Sequence, residues 1–128
     1  MRTVARDDGS AAAEFVMVAA LLTVLTLCVL QLGAALLVRN TVLDAAAEGA
    51  RFGALADNSP GDGVARTREL ISTAIGADYA GDVRVATGEW RGHPAITVTV
   101  RTTLPVIGLF GIGGGLEVAG HAARETVD

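Results

Sequence analysis

Apolar and polar positions change period three times along the chain. From Phe15 to Val38, 24 consecutive residues carry no charge, and Thr23, Thr26 and Gln31 are the only clearly polar side chains. At about 1.5 Å rise per residue a helix of this length covers roughly 36 Å, enough to cross a hydrocarbon core about 30 Å thick. Pro is absent from Ser10 to about Ala56, and Ala and Leu are abundant there, so the pattern predicts one long helix over 10–56 with a transmembrane half at about 15–38. From Arg39 the helix becomes amphipathic. Asn40, Asp44, Glu48 and Arg51 share one side, while Val42, Ala45, Gly49, Phe52, Gly53 and Ala56 share the other. Ala45, Gly49 and Gly53 recur every four residues and form a small-residue groove where a second backbone can approach closely.

Beyond the helix, Asp57–Gly63 carries turn signals throughout and reads as a loop. Val64 to Ile75 predicts a second helix, stopped by Gly76. The period then falls to two. Val83 and Val85 alternate with Arg84 and Ala86 in a run continuing towards Trp90, and Arg91-Gly92-His93-Pro94 reads as a turn. Ile96, Val98, Val100 and Leu104 alternate with Thr97, Thr99, Arg101 and Thr103, so the two runs predict a hairpin. A third strand is expected from Leu116 to about Thr126. The fold class is therefore α+β: a long N-terminal membrane-spanning helix, a short second helix and a small antiparallel three-stranded sheet. One face of that sheet needs a helix to cover it. The expected organisation is a polar leader over 1–9, the long helix over 10–56 and a small extracytoplasmic α+β domain over 57–128. The leader has no apolar face to pack and is expected to be disordered.

Composition narrows the functions. The chain has 128 residues and a net charge of −4, and its ten positive residues, all Arg, are scattered, so no nucleic-acid surface is expected. Cys28 is the single cysteine and lies inside the apolar run, which excludes an intramolecular disulfide. The run exceeds the roughly 7–15 residues of a secretory h-region, favouring a retained span. Arg2, Arg6 and the amino terminus precede it and Arg39 and Arg51 follow, nearly a tie that, with the shortness of the first segment, leans towards a cytoplasmic N-terminus with the C-terminal domain outside. His93 and His121 have no ligand cluster around them, so no metal and no cofactor is expected. No nucleophile, base and orienting group occur together, so no catalytic residues and no small-molecule substrate are predicted, and the chain reads as a non-enzyme. Gly113-Gly114-Gly115 lacks the Lys of a phosphate loop. Val106, Ile107, Leu109, Phe110 and Ile112 crowd the segment between the second and third strands; they read as cover for one end of the core, with an apolar contact patch as the alternative.

Glu14 is the candidate functional residue. A carboxylate near a helix N-terminus is favoured by the backbone dipole by about 0.3–1 kcal/mol, which allows a plain capping role. A membrane-edge carboxylate, however, usually has a partner. Were the chain cut after Gly9, Ser10 would carry a free amine one helical turn from Glu14, on the same subunit or its neighbour.

Gly9, four residues, Glu14 and the aromatic Phe15 ahead of an apolar helix resemble the processing motif of type IV pilins of the tight-adherence class. Gln31 to Asn40, ending in Val-Arg-Asn, and then Asp44-Ala45-Ala46-Ala47-Glu48-Gly49-Ala50-Arg51 resemble the TadE-like family of minor pilins or pseudopilins. The resemblance covers roughly 9–53. It implies cleavage after Gly9 by a membrane prepilin peptidase, with Glu14 as the recognition and assembly residue and Ser10 and Phe15 as its context. It also implies a structural role in pilus biogenesis beside other pilin-like subunits, at the cytoplasmic membrane or in a pilus. Phe15 stands where the major pilins of this class usually carry Tyr, which loses a hydroxyl and keeps the ring. An unprocessed, membrane-anchored extracytoplasmic binding module is the alternative.

Overall fold

The computed structural model describes residues 2–104 and 115–125, with side chains from Asp8 onward. The first helix, α1, runs Arg2–Ala54 over 53 residues. A second helix, α2 (Pro60–Ala74), and a 3-10 turn (Ala77–Ala80) follow. Three strands complete the order: β1 (Asp82–Trp90), β2 (His93–Thr103) and β3 (Gly115–Ala123). Two units are distinguished, Met1–Gly33 and Ala34–Asp128.

The first unit is helix alone. Its backbone is helical from Arg2, where the polar composition of the leader predicts disorder. Starting a helix is the unfavourable step; extending an existing helix by one more turn needs no new nucleus, so the apolar stretch carries the leader with it. Apolar side chains from Phe15 to Leu32 are exposed on all sides, Phe15 by 74%. The Thr23 and Thr26 hydroxyls donate back to the Ala19 and Leu22 carbonyls, both at 2.8 Å. Hydroxyls that bond inside their own helix suit a solvent that offers no partners. Among the described residues, one helix is long and apolar enough to cross a membrane.

In the second unit, Ala34–Ala54 of α1 is the scaffold. Its buried positions are Val38, Val42, Ala45, Ala46, Gly49, Ala50, Gly53 and Ala54, spaced by three and four. Phe52 and Ala56, expected on the buried side, are exposed, and Ala46 and Ala50 take their place. The helix is covered from two directions. A Cβ built on Gly49 would lie 1.7 Å from Thr67 Oγ1 and 2.7 Å from the Gly63 carbonyl oxygen, so α2 lies directly against it. A Cβ on Gly120 would lie 2.4 Å from the Ala46 carbonyl carbon, so β3 presses on α1 as well. One core results: Val42, Ala46 and Ala50 of α1, Ile71 of α2, and Val83, Ile96, Val98, Val100 and Val118 of the sheet.

Helix α2 begins four residues before the apolar pattern predicts. Ser59 and Asp62 form a reciprocal capping box. The Asp62 N–H donates to Ser59 Oγ at 3.3 Å, and the Ser59 N–H donates to Asp62 Oδ2 at 2.7 Å. Pro60 fills the first turn, where no N–H is missed. These contributions outweigh the low helix propensity of Gly61 and Gly63. At its C-terminus α1 lacks a glycine cap. Instead the Asn58 side-chain amide donates to the Phe52 carbonyl at 2.8 Å, and the Glu125 N–H donates to the Ala54 carbonyl at 2.9 Å.

The sheet has order β1-β2-β3, antiparallel throughout. Trp90 pairs with His93, so His93 and Pro94 belong to β2 and the hairpin turn is only Arg91-Gly92. Both turn residues have positive φ, 52° and 80°. Such a turn matches the twist of the strands it joins. Gly92 tolerates that backbone freely, whereas for Arg91 it stores about 1–3 kcal/mol of strain. β3 ends at Ala123, three residues short of its expected end. The apolar segment at 105–114 lies outside the described residues.

Candidate functional site: the N-terminal helix and its packing face

Gly9, Ser10, Glu14 and Phe15 occupy consecutive turns of α1 in the first unit. Ser10 and Glu14 are four apart and so lie above one another on one face. All four residues are exposed, and no atom lies within 4 Å of a Cβ built on Gly9. Glu14 is the sole charged residue between Asp8 and Arg39. It forms no ion pair with another described residue. The arrangement is therefore an open apolar column marked by a single anion near its start. None of these four side chains is enclosed by other described residues.

The second predicted set behaves differently. Ala45 and Gly49 face α2 of the same chain, and Gly53 faces the Gly63 backbone, where an added Cβ would stand 3.1 Å from Gly63 Cα. Gly63 is as crowded, since its own Cβ would meet the Gly49 carbonyl at 2.6 Å. Between these glycines sits Thr67, a polar residue with no exposed surface. Its hydroxyl donates to the Gly63 carbonyl at 2.8 Å and stands 3.4 Å from the Ala45 carbonyl. The groove of small residues is thus filled within the subunit. Gly63, Thr67 and Gly120 escape sequence reasoning because nothing local marks which glycine or threonine will meet another backbone. A shallow groove of about 490 Å³ remains beside this crossing, lined by Thr41, Asp44, Glu48, Arg51, Leu70 and Ala74 among others. No nucleophile and base are brought together there.

Neither histidine joins a cluster. Among the described residues no group of three or more His, Cys, Asp or Glu side chains is placed to hold a metal. His121 instead stacks on Trp90, ring centroids 5.3 Å apart and planes within 4°, and its Nδ1 is 2.9 Å from Thr97 Oγ1.

Residues 9–51 match the family model for TadE-like protein. This stretch is TadE-like. The TadE-like stretch opens on Gly9, contains Glu14 and Phe15, and includes Ala45 and Gly49, while Gly53 falls two residues beyond it. The strands and α2 lie outside the matched region. No curated protein and no solved structure matches the chain.

Proposed function

We propose that the chain is a minor pilin-like subunit of a tight-adherence pilus or a related secretion machine, cut after Gly9 by a membrane prepilin peptidase. The observation that carries this reading is a TadE-like match opening on Gly9, over an exposed apolar run whose one charge between 9 and 38 is Glu14. The role is structural. The first unit has no apolar partner within the chain's own described residues, and in a bilayer lipid and neighbouring pilin-like helices cover it. Cleavage gives Ser10 a free amine one turn from Glu14. Amine and carboxylate, on one subunit or on neighbours, then neutralise each other where water is scarce and fix the axial register between helices. The leader lies on the cytoplasmic side and the unit containing the sheet lies outside.

Helix α1 is continuous through the Gly9–Ser10 bond. A peptidase that takes its substrate extended therefore needs a local unwinding. Glycine favours the helix about 1 kcal/mol less than alanine, so Gly9 places the weakest turn at the cut. Mass spectrometry of the mature protein tests the reading, and the expected N-terminus is Ser10. Intact Met1 in cells making functional pili would sink it and favour an unprocessed membrane-anchored binding module. Replacing Glu14 by Ala is expected to abolish incorporation while leaving membrane insertion unchanged; undiminished incorporation would remove the charge pair from the mechanism.

A further inference from the structure

The sheet has an inner face on the helices and an outer face that no described element covers. Arg84, Ala86, Gly88 and Trp90 of β1 and Glu117, Ala119 and His121 of β3 are all exposed there. Its charges divide by position. At one end they are paired: Arg84 with Asp82 and Arg101 with Glu117, each at 3.1 Å. At the hairpin end the picture reverses. The Arg91 guanidinium carbon stands 4.5 Å from the Trp90 ring centroid, and among the described residues Arg91 has no carboxylate partner. His93 pairs with Trp90 across the turn, and His121 stacks on it. The nearby acids are turned elsewhere. Glu89 alternates to the inner face, and Glu125 Oε2 accepts from the Ala56 N–H at 3.3 Å. Among the described residues the corner therefore presents a cation, two imidazoles and an indole without a facing anion.

Two further facts make this corner more than a chance of composition. Arg91 holds a left-handed backbone, φ 52°, at a turn position where Gly, Asn or Asp would sit more easily, and that conformation sets its side chain over the indole. Beside the aromatic pair lies a floor of small exposed residues, Ala86, Gly88, Ala119 and Ala123, with the half-buried Thr97 and Thr99 on the strand between. We propose that the Arg91–Trp90–His121 corner and this floor bind an acidic polysaccharide, a chain of sugar rings bearing carboxylates. Arg91 takes the carboxylate through charge-assisted hydrogen bonds. The exposed part of the indole and the small side chains accept the flat of a pyranose ring, and the Thr99 hydroxyl meets its hydroxyls.

The alternatives fit less well. An extended acidic peptide gains most from adding to a strand edge, where it finds backbone partners, and this surface is a face. A lipid such as phosphatidylglycerol presents a phosphate but no sugar ring for the small-residue floor.

Full-length protein in detergent micelles, passed over immobilised polygalacturonate, neutral dextran, polyglutamate and phosphatidylglycerol vesicles, tests the proposal. Retention on polygalacturonate alone, weakening as salt rises, is expected. Arg91→Gly is the decisive variant, because glycine relieves the positive φ while removing the cation. It is expected to keep or raise thermal stability and to lower polygalacturonate affinity about tenfold or more, the loss of one charge-assisted bond. Arg84→Ala, at the paired end, is expected to bind as the parent does. Equal retention on dextran, stronger retention on polyglutamate or the vesicles, or an Arg91→Gly variant that binds unchanged would each overturn the proposal. It is independent of cleavage at Gly9, since an uncut chain carries the same face.

Discussion

Glycines divide this chain into positions that pack and positions that do not. At Gly49 an alanine gains about 1 kcal/mol of helix propensity, yet its methyl would overlap Thr67 Oγ1 and the Gly63 carbonyl. Overpacking against a backbone atom that cannot swing aside costs about 1–3 kcal/mol or more, so packing wins. Gly49→Ala is expected to lower stability by about 2 kcal/mol net, read as a lower midpoint in chemical denaturation. Gly53→Ala should be milder, because its nearest contacts are 3.1–3.3 Å. Gly9→Ala meets nothing within 4 Å and is expected to leave stability the same or higher. Loss of cleavage in that variant, with the fold intact, separates a processing role from a structural one. A periodic trio of small residues made the α1 groove legible in the sequence. Gly63 and Gly120 carry no such mark, since the atoms they make room for come from a helix and strand distant along the chain.

At the scale of elements, α2 shows local signals in competition. Asn58-Ser59-Pro60-Gly61-Asp62 reads as a turn, and the same residues hold Ser59 and Asp62 three apart, a capping box that starts a helix. The box decides the outcome because it satisfies backbone donors that the first helical turn leaves open. Ser59→Ala is expected to lower stability by about 1 kcal/mol and to fray the first turn of α2, seen as faster amide exchange at 61–63. The hairpin was legible because period-two alternation reaches both sides of Arg91-Gly92. Its turn is tighter than the composition suggested: Pro94 is kept in β2, where its carbonyl accepts from the Arg124 N–H at 2.9 Å. The leader runs the other way. Its residues alone do not favour a helix, and the neighbouring apolar run supplies the nucleus.

For the whole molecule, solvent is the controlling variable. The first unit exposes apolar side chains on every face, which water penalises at about 25 cal/mol per Å² and lipid does not. Cys28, exposed on that helix, reports the difference. In intact membrane vesicles a membrane-impermeant maleimide is expected to leave it unlabelled, and detergent-solubilised, urea-treated protein should label fully. Rapid labelling in sealed vesicles would show that 15–38 does not span. The sequence by itself determined the apolar span, its one anion five residues past Gly9, the TadE-like character of that stretch, and the α+β order of elements. These are properties of residues near one another in the chain, set by period, length and charge. Only the tertiary structure decided that Ala45, Gly49 and Gly53 are covered by α2, that Gly120 brings β3 onto Ala46, and that Arg91, Trp90 and His121 share one corner. Those pairings depend on which distant backbones can approach within a few ångströms, and close packing in three dimensions settles that.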